Sequence, residues 1–214
     1  DPTTGEILNA SVIVYNDIIK LNNFWRFIQT AQVDTRMRTS KMPDDVRDES
    51  IEYVIAHEIG HTLGLMHNMA ASNAYPVDSL RSVSFTQKYG TTPSIMDYAR
   101  FNYVAQPEDH VPYVSPHIGP YDRFAIEWGY RWYPDEKTEK RQLRALLDSH
   151  TEKIYKYGEE QSPREAVDPR SLSEDLGDNA MKSAGYGIEN LKRIVPEIVE
   201  WTTTGEEGQT YKNA

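Results

Sequence analysis

Cysteine is absent from all 214 residues, which rules out disulfides and any thiol ligand within the chain. Its absence leaves the compartment open, because exported bacterial proteins often lack cysteine as well. No stretch approaches 18 consecutive apolar residues, so no transmembrane helix is expected. Positive charge is in short supply: 23 Lys and Arg stand against 33 Asp and Glu, for a formal charge of −10. With no basic run anywhere, the composition argues against a nucleic-acid surface. No internal repeat, low-complexity tract or EF-hand loop is present. The chain starts Asp1-Pro2-Thr3 without methionine or a charged-then-apolar leader. It therefore reads as an excised domain or mature fragment, with targeting information upstream. Its length suits one domain with two lobes, or two small packed subdomains.

What is present is concentrated in residues 57–67, His57-Glu58-Ile59-Gly60-His61-Thr62-Leu63-Gly64-Leu65-Met66-His67. Histidines four apart on a helix project from one face a turn apart, where two imidazoles can share a metal ion. Glu58 directs a carboxylate toward the same space without having to bind the metal. Gly64 lets the backbone leave the helix in a left-handed conformation and swing back, presenting His67 as a third ligand. Three nitrogens around zinc leave a fourth position for water, which is the catalytic arrangement. At average residue usage the five fixed positions match by chance in one chain of this length in ~10⁵.

The segment resembles the metzincin clan of zinc peptidases, whose signature H-E-x-x-H-x-x-G-x-x-H is followed by a methionine turn. Ser94-Ile95-Met96-Asp97-Tyr98 matches that turn. The wider wording, from Asp1-Pro2-Thr3-Thr4-Gly5-Glu6-Ile7 to Ser173-Glu174-Asp175-Leu176-Gly177-Asp178, is similar to a bacterial family of large zinc-dependent proteins, the Met-zincins. The resemblance implies an α+β zincin-like fold: a small sheet, an active-site helix, a methionine turn and a mostly helical C-terminal lobe. It implies three parts: an upper subdomain over 1–67, a lower subdomain over 68–133 with the turn and a closing helix, and a helical extension over 134–214 packed on the lower lobe. It further implies zinc held by His57, His61 and His67, a protein or peptide substrate, and an extracytoplasmic location. Met96 would form an apolar floor under the metal, and Tyr98 could approach the metal or the reaction oxyanion.

Glu6 to Tyr15, with Ile7, Val12, Ile13, Val14 and Tyr15, reads as a strand. In metzincins such a strand lines the cleft and pairs with extended substrate, which would make Ala10 to Ile13 the substrate wall. A sheet edge without function is the alternative. Asp17 to Gln32 spaces Ile18, Leu21, Phe24, Trp25 and Ile28 as an amphipathic helix packing on the sheet, its aromatics in the core. Pro43 and the acidic Asp44, Asp45 and Asp48 mark the start of the helix that carries His57 and runs to Leu63. Residues 68–93 read as loop with at most one short helix. Pro120 to Tyr130 reads as the closing helix, and Asp135 to Glu160 as a solvated, interruptible amphipathic helix. Residues 161–172, with Pro163 and Pro169, read as a connector. Ser173 to Trp201 reads as a helical pair bent near Gly185 and Gly187, with a further break near Pro196. Residues 1–56 hold one clear strand, fewer than a complete metzincin upper lobe. The sheet is therefore expected to be reduced, or its other strands to lie upstream.

Chemically, Glu58 takes the proton of the attacking water and passes it to the leaving amine, so amide hydrolysis needs no covalent intermediate. Tyr98 either helps hold the oxyanion or packs beneath the site. Asp97 either braces a ligand imidazole or bonds local backbone. His110, His117 and His150 lack ligand spacing and are assigned to surface or packing. Glu159-Glu160 is read as solvated charge. The expected activity is zinc-dependent endopeptidase. The competing readings are a catalytically weak zinc-containing module that binds peptides or glycoproteins, and a hydrolase of non-peptide amides.

Overall fold

A computed structural model describes residues 1–162, 164 and 167–203. Pro163, and the part of the expected C-terminal extension beyond residue 203, lie outside the described residues. Seven α-helices follow in chain order: α1 (Asp17–Thr30), α2 (Asp44–Thr62), α3 (Val83–Tyr89), α4 (Pro120–Tyr130), α5 (Glu136–Ser149), α6 (Ala180–Ile194) and α7 (Ile198–Thr202).

The expected sheet is not there. Among the described residues no strand forms, and the α+β expectation is corrected to a helical architecture. Residues 6–15 have β-forming side chains, but a strand exists only as one rail of a ladder, and no second rail is present. The whole segment 1–17 is exposed, including Leu8, Ile13 and Tyr15 at 72–75%. The substrate wall expected at Ala10 to Ile13 is therefore not built.

The missing sheet also reverses α1. Leu21 and Phe24, placed by their spacing against a sheet, face outward, and the buried stripe is instead Asn22, Arg26 and Thr30. Arg26 is fully buried because its guanidinium is neutralised and bonded, to Glu49 at 2.9 Å and Ser115 Oγ at 2.6 Å, and it lies over the Phe101 ring.

The helix α2 begins after Pro43 with Asp44 and Asp45 in its first turn, where carboxylates favour the helix dipole. Its buried positions, Val46, Ser50, Tyr53, His57 and Gly60, form one stripe at helical spacing. The upper end of that stripe shares an apolar cluster with Ala31, Met37 and Ile194, and the lower end joins Ile95, Met96 and Phe101. A third cluster gathers Tyr75, Val77, Leu80, Val104 and Leu176.

Several expected elements lie where the sequence put them. Residues 68–93 hold one short helix, α3, besides 3₁₀ turns, and α4 spans Pro120–Tyr130 with Pro in its first turn. Asp135 caps α5 through Thr138 N, but the helix expected to reach Glu160 ends at Ser149, and only a 3₁₀ turn at Lys153–Tyr155 follows within that span. By contrast, α6 runs without a break through Gly185 and Gly187. Gly187 packs its bare Cα against the Tyr103 ring, so close approach, not flexibility, accounts for it. The break comes at Pro196, where a 3₁₀ turn separates α6 from α7.

Candidate metal centre and catalytic cleft

His57 lies on the buried stripe of α2, and its Nδ1 donates to Ile95 O at 2.7 Å. One turn on, His61 is near the end of the helix. There Leu65 N bonds Gly60 O and Gly64 N bonds His61 O, the paired contacts of a Schellman motif, with Gly64 at φ +85°. This turn brings Leu65 O onto His61 Nδ1 at 2.9 Å and carries the chain back toward the helix. His67 follows, with its Nδ1 donating to Glu160 Oε2 at 2.7 Å.

The three Nε2 atoms converge, at 3.1 Å between His57 and His61, 3.1 Å between His61 and His67, and 3.2 Å between His57 and His67. Carbonyl and carboxylate oxygens only accept hydrogen bonds, so each Nδ1 carries the proton and each Nε2 presents a lone pair. Lone pairs cannot bond one another. Three of them facing inward suit a metal cation, and the triangle is within a few tenths of an ångström of the ~3.4 Å edge that tetrahedral zinc–nitrogen bonds need. Burial lowers the pKa of His57, which favours the neutral imidazole that a metal ligand must be. Among the described residues this trio is the one group of His, Asp and Glu side chains with its ligand atoms gathered closely enough for a metal.

Beneath the trio, Ile95 and Met96 form a turn. Fully buried Met96 sets its sulfur against Gly60, where a Cβ would collide with it. Met96 O also accepts from Asn68 N, which ties the residue after His67 to the turn. The Tyr98 ring lies over the imidazoles, 5.5 Å from that of His57 and 4.5 Å from that of His67. Arg100 packs on its other side, between the Tyr98 and Trp25 rings, and is held by Glu174. Glu58, half-exposed on the flank of α2, opens with His57, Tyr98, Trp25, Tyr53 and Arg100 onto one cleft of about 210 Å³. Trp25, read from the sequence as core, thus belongs to the cleft wall. A larger cavity of about 650 Å³ between Tyr89 and Pro120 includes none of these side chains.

Of the acidic readings, that of Asp97 resolves to its backbone-bonding alternative and that of Glu160 changes. Asp97 does not touch a ligand imidazole; fully buried, it accepts from Ser72 N at 2.5 Å, while Asp175 takes the Ser72 hydroxyl at 3.0 Å. Burial raises the Asp97 carboxyl to about 8 and that of Asp175 to about 6. The carboxylate that does touch a ligand is Glu160, which had been assigned to solvent. The pair of acidic residues at 159–160 was the sole signal, and nothing in the sequence linked it to His67. His110 and His117 are exposed, and His150 packs on Phe124 and Tyr155, as expected of histidines outside the site.

A helical scaffold here gathers three Nε2 lone pairs over a buried methionine, a donor set suited to a metal ion. A family model described as Met-zincin matches residues 39–214, and the chain belongs to that family of metzincin-type zinc metalloproteases. Residues 1–38, the exposed segment and α1, fall outside the matched span. No curated protein and no solved structure matches the chain.

Proposed function

We propose that the protein is a zinc-dependent endopeptidase, with His57, His61 and His67 holding the metal and Glu58 serving as general base. The observation that carries the reading is the convergence of three Nε2 atoms, one of them belonging to His57, which lines the same cleft as Glu58. Bound zinc supplies Lewis-acid polarisation of a carbonyl and lowers the pKa of water to ~7. Glu58 accepts a proton from the attacking water and delivers it to the departing amine nitrogen. Tyr98 donates its phenolic hydrogen to the oxyanion as the carbonyl becomes tetrahedral. An ordinary phenol is protonated at neutral pH and so available as a donor, and burial shifts the Tyr98 pKa further upward. Arg100 and Trp25 hold the ring in place. We read the turn at residues 94–98 as the methionine turn of the clan, an adaptable apolar floor.

Glu58→Gln removes the base and leaves the three imidazoles untouched. Peptidase activity on an unfolded protein substrate should fall at least ~10²-fold, with zinc content still near one per chain. A chelator should abolish the wild-type activity and added zinc restore it. Cleavage by Glu58→Gln at the wild-type rate would refute the assignment. Stoichiometric zinc without cleavage of any peptide or protein would instead favour a binding module.

A further inference from the structure

We propose that Glu160 is a positioning residue for the metal centre, and that the segment around it makes zinc affinity depend on the chain downstream of α5. The inference rests on the zinc reading above and deepens it. His57 and His61 have their outer nitrogens anchored by backbone carbonyls, whereas the third imidazole is anchored by the Glu160 side chain alone. A carboxylate on the outer nitrogen fixes the tautomer, aims Nε2 and makes the imidazole a better ligand than a carbonyl does.

The arrangement is built, not incidental. Asn68, next to His67, donates to Lys156 O at 2.9 Å and accepts from Gly158 N at 2.9 Å, and Met69 N donates to Gly158 O at 2.9 Å. Residues 156–158 are thereby stitched to 68–69 on both edges. A Cβ on Gly158 would run into Ser171 Oγ and Ala70 Cβ, so the close seat admits glycine alone. On the far side Ser171 Oγ donates to Glu159 O at 2.9 Å. Glu160 therefore reaches His67 from a pinned backbone, although its own side chain is half-exposed. It approaches Nδ1 and not the Nε2 triangle, so it orients the centre without plugging it.

The test uses the full chain as wild type, Glu160→Gln, Glu160→Ala and Ser171→Ala. Zinc is stripped, and its affinity is measured by competition with a chromophoric chelator. Glu160→Ala should bind zinc about 10- to 100-fold more weakly than wild type, with Glu160→Gln between the two, because an amide oxygen still accepts from Nδ1. Ser171→Ala, which loosens the strap without touching the imidazole, should weaken binding by a smaller factor in the same direction. Thermal melts of the zinc-free proteins should coincide, which separates positioning from a general loss of fold. Independently of metal, nitrogen–proton NMR of the His67 ring should show the Nδ1–H tautomer in wild type and its loss in Glu160→Ala. Equal zinc affinity for wild type and Glu160→Ala, or an unchanged tautomer, would overturn the proposal. Failure of the wild type itself to take up zinc would sink the metal reading, while the tautomer measurement would still decide the role of Glu160.

Discussion

His57, His61 and His67 are near neighbours in sequence, yet what holds their outer nitrogens lies progressively elsewhere: four residues on for His61, at Ile95 for His57, and at Glu160 for His67. That gradient explains what the sequence could reveal. A helix fixes side-chain direction at i and i+4, and Gly64 announces a left-handed turn, so the triad and Glu58 are legible from local rules. Asp97 and Glu160 are not, because no local periodicity says which distant polar group a buried carboxylate or imidazole will meet. Asp97 carries a pH signature of its own. With its pKa raised to about 8 by burial, the native state keeps a proton that the unfolded chain sheds above ~4. Unfolding therefore releases that proton, and this contribution to stability is lost as pH rises from ~4 toward 8, after which both states are ionised. Asp97→Asn has no such proton. Its melting temperature relative to wild type should rise steadily from pH 5 to 8 and then level off. A difference independent of pH across that range would refute the retained proton on the buried carboxyl. Asp175, raised to about 6 by burial, adds a slope of the same sign in both proteins.

At the level of elements, helices were read well and the strand was not. The pattern at Asp44–Thr62 carries its own start, stripe and stop, and Pro120–Tyr130 its own first-turn proline. These are properties of contiguous residues. Residues 6–15 have an equally clear β composition, but strand propensity reports how a side chain suits a pleated surface, and such a surface must be supplied by other strands. The error at α1 follows directly, since its face of Leu21 and Phe24 was assigned to a sheet that the described residues do not form. Gly187 shows the converse: a glycine read as a bend is a contact surface for Tyr103. Because residues 1–17 are exposed and contribute to none of the apolar clusters, deletion of residues 1–15 should shift the melting midpoint by less than ~2 °C. Limited proteolysis of the intact chain should cut within this segment before it cuts within any of the helices α1 to α7. A fall of ten degrees on deletion would show that the segment supports the fold.

Across the molecule, the helix that carries His57 and His61 does not sit in a module of its own. Val46 of α2 shares a cluster with Phe27 of α1, Ile194 of α6 and Trp201 of α7, and the lower end of α2 packs on the turn at Ile95 and Met96. Helices from both ends of the described chain thus stabilise the same element. Calorimetry of the metal-free protein should accordingly show one cooperative transition, and two resolved peaks would contradict this shared packing. The same connectivity has a consequence for biosynthesis. A ribosome releases all three histidines long before it has made Glu160 or Ile194, so the nascent protein carries a recognisable zinc motif whose orienting partners do not yet exist. The full set of orienting partners is then assembled only after residue 160 has been made, and chains truncated ahead of Glu160 would bear the signature without the partner of His67.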